Sequence, residues 1–308
     1  EKLDDVIDQY IALANQGIEN QVMPPKVLMS RVLNQIKLQN VDSYINSPFY
    51  DAFEVLPDEI SNQEQEQIRE QAQITITNVV IPSYVKLLNF FENSYYPNCR
   101  DTIGISDIKN GSQYYELIAK QFTTTELTPD EIHNIGLNEV SRIKNEMFKI
   151  MDQVQWNGSF DEFLNFLRTD SQFYFETGEE LFTEYLATSK RIDPLLVKLF
   201  KDLPSMPYGL KPIPMESAPD TTTAYYQRPA ADGSRAGYYY VNLYMPEVRP
   251  KYEIEALSLH EAMPGHHLQI AYTMELDLPN FRKYGGYTAF VEGWGLYAES
   301  LGEDLGMY

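Results

Sequence analysis

Cysteine is nearly absent: Cys99 is the single one among 308 residues, so no internal disulfide can form. Histidine is also scarce, with four residues, and 24 lysines and arginines face 45 aspartates and glutamates. The resulting net charge of −21 repels nucleic acid and anionic membrane surfaces. Nucleic-acid partners are therefore excluded, and cationic or uncharged substrates are favoured. No run approaches the ~18 consecutive apolar residues of a membrane span, so no transmembrane segment is expected. No secretory signal is visible either. Composition leaves the compartment and the oligomeric state open.

What is present is ordinary globular composition, with 43% hydrophobic and 22% charged residues. Tyrosine is abundant at 23 residues and combines rigid apolar area with a hydrogen-bonding tip, which suits clefts that grip polar chains. The spacing of Leu3, Val6, Ile7, Tyr10, Ile11 and Ala14 predicts a helix over 2–14. Pro24-Pro25 opens a second over 27–38. A Glu/Gln-rich surface helix starts near Asp58 and runs through Val79-Val80-Ile81 towards Pro82. Thr128-Pro129-Asp130-Glu131 is a strong helix start, with Thr128 as cap and Glu131 completing a capping box. That helix continues through Ile135, Val140, Ile143 and Met147, and His133 in its first turn reads as a surface or packing residue.

Five prolines between Leu203 and Pro219 force an extended path. Two β-prone runs follow, 224–226 and 238–244, around the turn signal Asp232-Gly233-Ser234, and predict a hairpin or small sheet. Helices resume near Tyr252. The fold expected is mainly α: 1–203 mostly helical, 204–250 Pro-rich with a small β element, and 251–308 helical, all in one domain because no Gly/Ser linker divides it.

Three of the four histidines fall within His260-Glu261-Ala262-Met263-Pro264-Gly265-His266-His267. Imidazoles and carboxylates are the usual zinc ligands of hydrolases, and a carboxylate beside a ligand can take a proton from metal-activated water. The usual peptidase helix spaces two histidines four apart. Here the fourth position is Pro264, which cannot donate to the His260 carbonyl, and Gly265 loosens the turn further. Simple periodicity favours His267 as the second ligand, seven after His260. A kink or bulge that absorbs two residues favours His266 instead. A third ligand is expected from the segment 290–299, where Glu292 and Glu299 lie seven apart on one helical face. Gly293 and Gly295 between them predict that another element packs very close.

The motif 260–269 together with Tyr287-Thr288-Ala289-Phe290-Val291-Glu292-Gly293-Trp294 resembles the bacterial family known as DUF 885, and so do 99–104, 123–129, 190–195 and 232–235. The resemblance runs from about Pro24 onward. That family in turn is similar to helical metallopeptidases with His-Glu-x-Gly-His and a downstream glutamate ligand. Aligned on Gly265-His266, this chain carries the two-residue insertion Met263-Pro264. The resemblance implies Zn²⁺ held by His260, His266 and Glu292, with Glu261 as general base. It also implies an incomplete domain, because members are usually longer at both ends and continue in helical sequence after Tyr308. An exported, cell-envelope or periplasmic location is implied as well.

The function expected is a zinc-dependent peptidase that hydrolyses peptide bonds with metal-activated water. Two alternatives stand beside it: a non-catalytic zinc-binding scaffold, and a metal-dependent hydrolase of a non-peptide amide. Glu261 argues against the scaffold, since a structural site needs no base. For the peptide substrate, residues 237–244 are expected to form a strand that lines the cleft and offers its backbone. Tyr238, Tyr240 and Asn242 on that strand, with His267, would contact substrate. Arg235 in the preceding turn would recognise a substrate carboxylate through its guanidinium fork.

Overall fold

The structure, a computed structural model, describes residues 2–308. The fold is mainly α with one small sheet. Where sequence reading gives a single body, the chain divides into two compact units between Glu116 and Leu117. The boundary falls inside a helix and carries no linker signal.

In the first unit, α1 (Leu3–Glu19) and α2 (Lys26–Leu38) pack against the long helical run α3 (Asn62–Asn98). This run does not stop at Pro82. Two stretches, Ile76–Val80 and Phe91–Tyr95, widen to π-helical turns, each just ahead of a proline, Pro82 or Pro97. A proline has no N–H to give and its ring crowds the turn before it, so a locally wider ladder lets the helix continue. By length and composition α3 is the one candidate membrane span among the described residues, but it is packed into a helical unit.

The helix α4 (Gly111–Thr123) crosses the boundary. The second unit continues with α5 (Pro129–Gln153), α6 (Phe160–Thr169) and α7 (Gly178–Ile192). Helices α3, α5, α6 and α7 all start on capping boxes, Ser61/Glu64, Thr128/Glu131, Ser159/Glu162 and Thr177/Glu180, in which side chain and backbone satisfy each other's donors. The stripe Ile135, Val140, Ile143 and Met147 on α5 remains exposed.

The sheet has three strands in the order β1 (Tyr208–Pro212), β3 (Gly237–Val241), β2 (Ala224–Gln227). β2 and β3 form the expected hairpin, antiparallel, and β1 adds a parallel strand on the far side of β3. The Pro-rich segment thus contains a strand that sequence reading leaves as extended chain. Pro212 sits at the end of this edge strand, where its missing N–H is tolerated.

Beyond the sheet come α8 (Ile254–Glu261), α9 (His266–Glu275), the short α10 (Asn280–Tyr284) and α11 (Thr288–Leu305). α8 is enclosed on several sides. Leu181 and Tyr185 of α7, Ala224, Tyr239 and Val241 of the sheet, and Ile254 and Ala262 form one buried cluster. Ile192, Leu196, Leu259, Met263, Leu268 and Leu305 form a second. Two cores around one short helix hold its C-terminal end, where His260 and Glu261 sit, in a fixed frame.

Candidate metal centre

The histidine segment does not form a bulged helix. α8 ends at Glu261, residues 262–265 turn, and α9 begins at His266. Ala262 leaves the helical region with φ −100° and ψ −108°, and the Met263–Pro264 peptide is cis. The reason for the break is steric. The chain returns so close to α8 that a Cβ on Gly265 would lie 1.8 Å from the His260 carbonyl oxygen. Only glycine allows that approach. The His267 N–H then donates to the Ala262 carbonyl, and Trp294 Nε1 donates to the Pro264 carbonyl at 2.9 Å. The turn is therefore held from α9 and α11 alike.

This geometry brings His260, His266 and Glu292 together, with one donor atom from each within 4.8 Å of the others. Glu292 Oε2 lies 3.5 Å from His260 Nε2 and 3.8 Å from His266 Nε2. Donor atoms around a tetrahedral ion at about 2.0–2.1 Å are separated by roughly 3.4 Å, so these spacings fit a zinc-sized ion. They are long for direct hydrogen bonds. The donors also have the right chemistry. His260 Nδ1 is 2.7 Å from Glu299 Oε1. With Nδ1–H donating to that carboxylate, the Nε2 lone pair is free to face the other two donors. His266 is buried and its Nδ1 has no hydrogen-bond partner. Its Nε2 is the nitrogen that faces Glu292, so Nε2 is the donor it would offer to a metal. Burial holds its pKa below the ordinary histidine value, which keeps it in the neutral, ligating form.

Glu261 is next to His260 and only 8% exposed. Burial pushes its carboxyl up to about 7, against the lowering influence of His260. The Tyr226 backbone N–H lies near it and lowers its pKa somewhat. That donor belongs to the outer edge of β2. The Asn242 N–H donates to the Thr223 carbonyl, so by the alternation of an antiparallel ladder Ala224 and Tyr226 turn their backbone groups away from β3.

Gly295 explains the close approach of α11. A Cβ there would lie 2.6 Å from the His260 ring. Gly293 does not share this role, because a Cβ at that position meets nothing within 4 Å.

Several residues expected at the substrate lie elsewhere. β3 is the central strand with both edges paired, so it has no free backbone for a peptide. Its side chains alternate: Tyr239 and Val241 enter the core with α8, which puts Tyr238 and Tyr240 on the opposite face. There Tyr240 stacks on Tyr225 at 4.8 Å, and Lys211 Nζ sits 4.0 Å over the Tyr238 ring. Asn242 is fully buried. Its Nδ2 donates to the carbonyls of Ala218, Thr221 and Thr222, and its Oδ1 accepts from the Tyr244 N–H, so its polar capacity is spent on the loop. Arg235 donates to Gln227 Oε1 and to the carbonyls of Arg228 and Ala236, which ties the β2–β3 connection together. His267 is 1% exposed and both its ring nitrogens are engaged, so it does not face a substrate.

Two contacts at the candidate site escape sequence reading. Tyr226 is visible only as part of a β-prone run, and its place beside Glu261 depends on which strand edge faces outward. Glu299 was visible as one of two acids on a helical face, but its pairing with Nδ1 rather than Nε2 is a matter of where His260 points.

No curated protein shows significant sequence similarity to the chain. Among solved structures, a protein described as "the putative lipoprotein from Colwellia psychrerythraea" is 29% identical with a TM-score of 0.91. The match covers 100% of this chain and 54% of that one, so the chain spans about half the length of that protein. Over residues 1–308 the sequence matches the family described as "Bacterial protein of unknown function (DUF885)", and the chain belongs to that family.

Proposed function

We propose that this chain carries the catalytic centre of a zinc-dependent peptidase. The observation that carries the reading is the buried Glu261, a carboxyl shifted towards neutrality, set beside three converging donors of zinc-ligand type. His260, His266 and Glu292 would hold the metal. A bound zinc ion supplies Lewis acidity, which polarises a scissile carbonyl and makes water a nucleophile near neutral pH.

Glu261 takes the proton of the attacking water and returns it to the leaving amine. A carboxyl whose pKa lies near 7 serves both directions of that transfer. Glu299 holds His260 in the tautomer that presents Nε2. The outer edge of β2 runs past Glu261 through Tyr226, and an extended peptide pairing with that edge would bring its backbone to the base. A location in the cell envelope accords with the description of the Colwellia protein as a lipoprotein.

Metal analysis of the purified protein, joined to cleavage of a mixed peptide library by wild type and Glu261→Gln, tests the reading. Stoichiometric zinc in both proteins, with cleavage only by the wild type, is the expected result. Zinc without cleavage by the wild type would replace the peptidase with a binding scaffold or a hydrolase of another amide.

A further inference from the structure

The second histidine of the doublet, His267, is not needed for the metal, yet it is among the most deeply buried side chains of the protein. Its surroundings are specific. Nε2 lies 3.0 Å from the Met206 carbonyl oxygen, which can only accept, so Nε2 carries the proton. Nδ1 is then the acceptor for the Tyr226 hydroxyl at 2.8 Å. Neutral imidazole with its proton on Nε2 satisfies both partners at once.

The contacts gather the whole sheet on one ring. Met206 leads into β1, and its own N–H is anchored on Glu275 Oε1 at 2.9 Å. Tyr226 is in β2. Gly237 begins β3, and a Cβ there would come within 2.9 Å of His267 Nδ1 and 2.3 Å of the Tyr226 hydroxyl oxygen. The Tyr226–His267 bond therefore passes directly over β3 and exists because residue 237 has no side chain. The Tyr226 backbone N–H also lies near Glu261. One tyrosine thus meets the buried imidazole with its side chain and lies beside the candidate base with its main chain.

We propose that His267 is a positioning residue: through the Tyr226 hydroxyl it fixes the register of β2, and so the place of the strand edge beside Glu261. This rests on the peptidase reading for the role of Glu261, but the mechanical part does not. β2 is only four residues long and lies at the edge of the sheet, so few ladder bonds hold it. The buried pin supplies what the short ladder lacks. It also gives each histidine of the doublet a separate task, the first towards the metal and the second towards the strand.

The test is hydrogen–deuterium exchange of the intact protein, wild type against Tyr226→Phe, with zinc stoichiometry and melting temperature measured alongside. Tyr226→Phe keeps the ring and the backbone N–H and removes only the pin. The expected result is roughly tenfold faster exchange of peptides that contain β2, unchanged protection of α8 and α9, and full zinc stoichiometry. His267→Asn, which can keep one of the two hydrogen bonds, should fall between wild type and Tyr226→Phe. Unchanged β2 exchange, or a uniform rise across the second unit, would overturn the proposal in favour of a generic core histidine. Turnover of a peptide should drop at least ~10-fold in Tyr226→Phe with zinc retained. A wild type that cleaves nothing would remove the peptidase reading, while the exchange measurement would still decide the pin.

Discussion

His260 Nδ1 and Glu299 Oε1 lie 2.7 Å apart, and this contact orients the imidazole between two acids of the same helix, with Glu292 at Nε2. Glu299→Ala should leave the fold intact and weaken zinc binding about 10–100-fold, the usual size of losing an outer partner of a ligating histidine. Competition with a chromogenic chelator measures this. Equal affinities in the two proteins would mean that Glu299 is a bystander.

The break between α8 and α9 separates the fates of the adjacent histidines. His266→Ala should abolish stoichiometric zinc, because it removes one of the three converging donors. His267→Ala should keep zinc and lose stability instead, since it opens a cavity and leaves the Tyr226 hydroxyl and the Met206 carbonyl without their partner. Metal content and thermal denaturation of the two variants distinguish these outcomes, and the reverse pattern would make His267 the ligand.

The two glycines of the α11 motif should respond with opposite signs. Gly293→Ala meets open space in a helix interior and should stabilise by about 0.5–1 kcal/mol. Gly295→Ala drives a methyl group into the His260 ring, which Glu299 holds in place, and should destabilise by about 1–3 kcal/mol. Denaturant titration reads both values. It should be joined to a zinc assay, in which only Gly295→Ala loses affinity.

Asn242→Ala should be a stability variant and not a substrate variant. It strips partners from the carbonyls of Ala218, Thr221 and Thr222 and from the Tyr244 N–H, at about 1–3 kcal/mol for a buried group left unmet. The melting temperature should fall while the Michaelis constant for a cleaved peptide stays near the wild-type value. A raised constant with unchanged stability would restore Asn242 to the substrate.

Some features of this protein follow from local chemistry, and the sequence by itself determined them. A threonine or serine three residues ahead of a glutamate closes a capping box within its own turn, so Thr128 and Glu131 announce α5 without help from the rest of the chain. Pro264 and Gly265 forbid a regular helix between His260 and His266, so the mismatch with a four-residue spacing is legible as a break. Glu292 and Glu299 face one way because seven residues are two helical turns. Other features depend on what packs against what, and only the tertiary structure decided them. β1 pairs on the far side of β3 and takes away the free edge that a hairpin alone would leave there, so the outer edges belong to β1 and β2. Whether Glu299 meets Nδ1 or Nε2 depends on the approach of α11 that Gly295 permits. Asn242, Tyr238 and Tyr240 lie close in sequence to the strand that matters, yet the alternation of β3 and its burial send them into a loop core and onto the opposite face. A strand's period of two specifies which residues share a face, but not which face meets the metal, because that choice is made by the helices the sheet packs against.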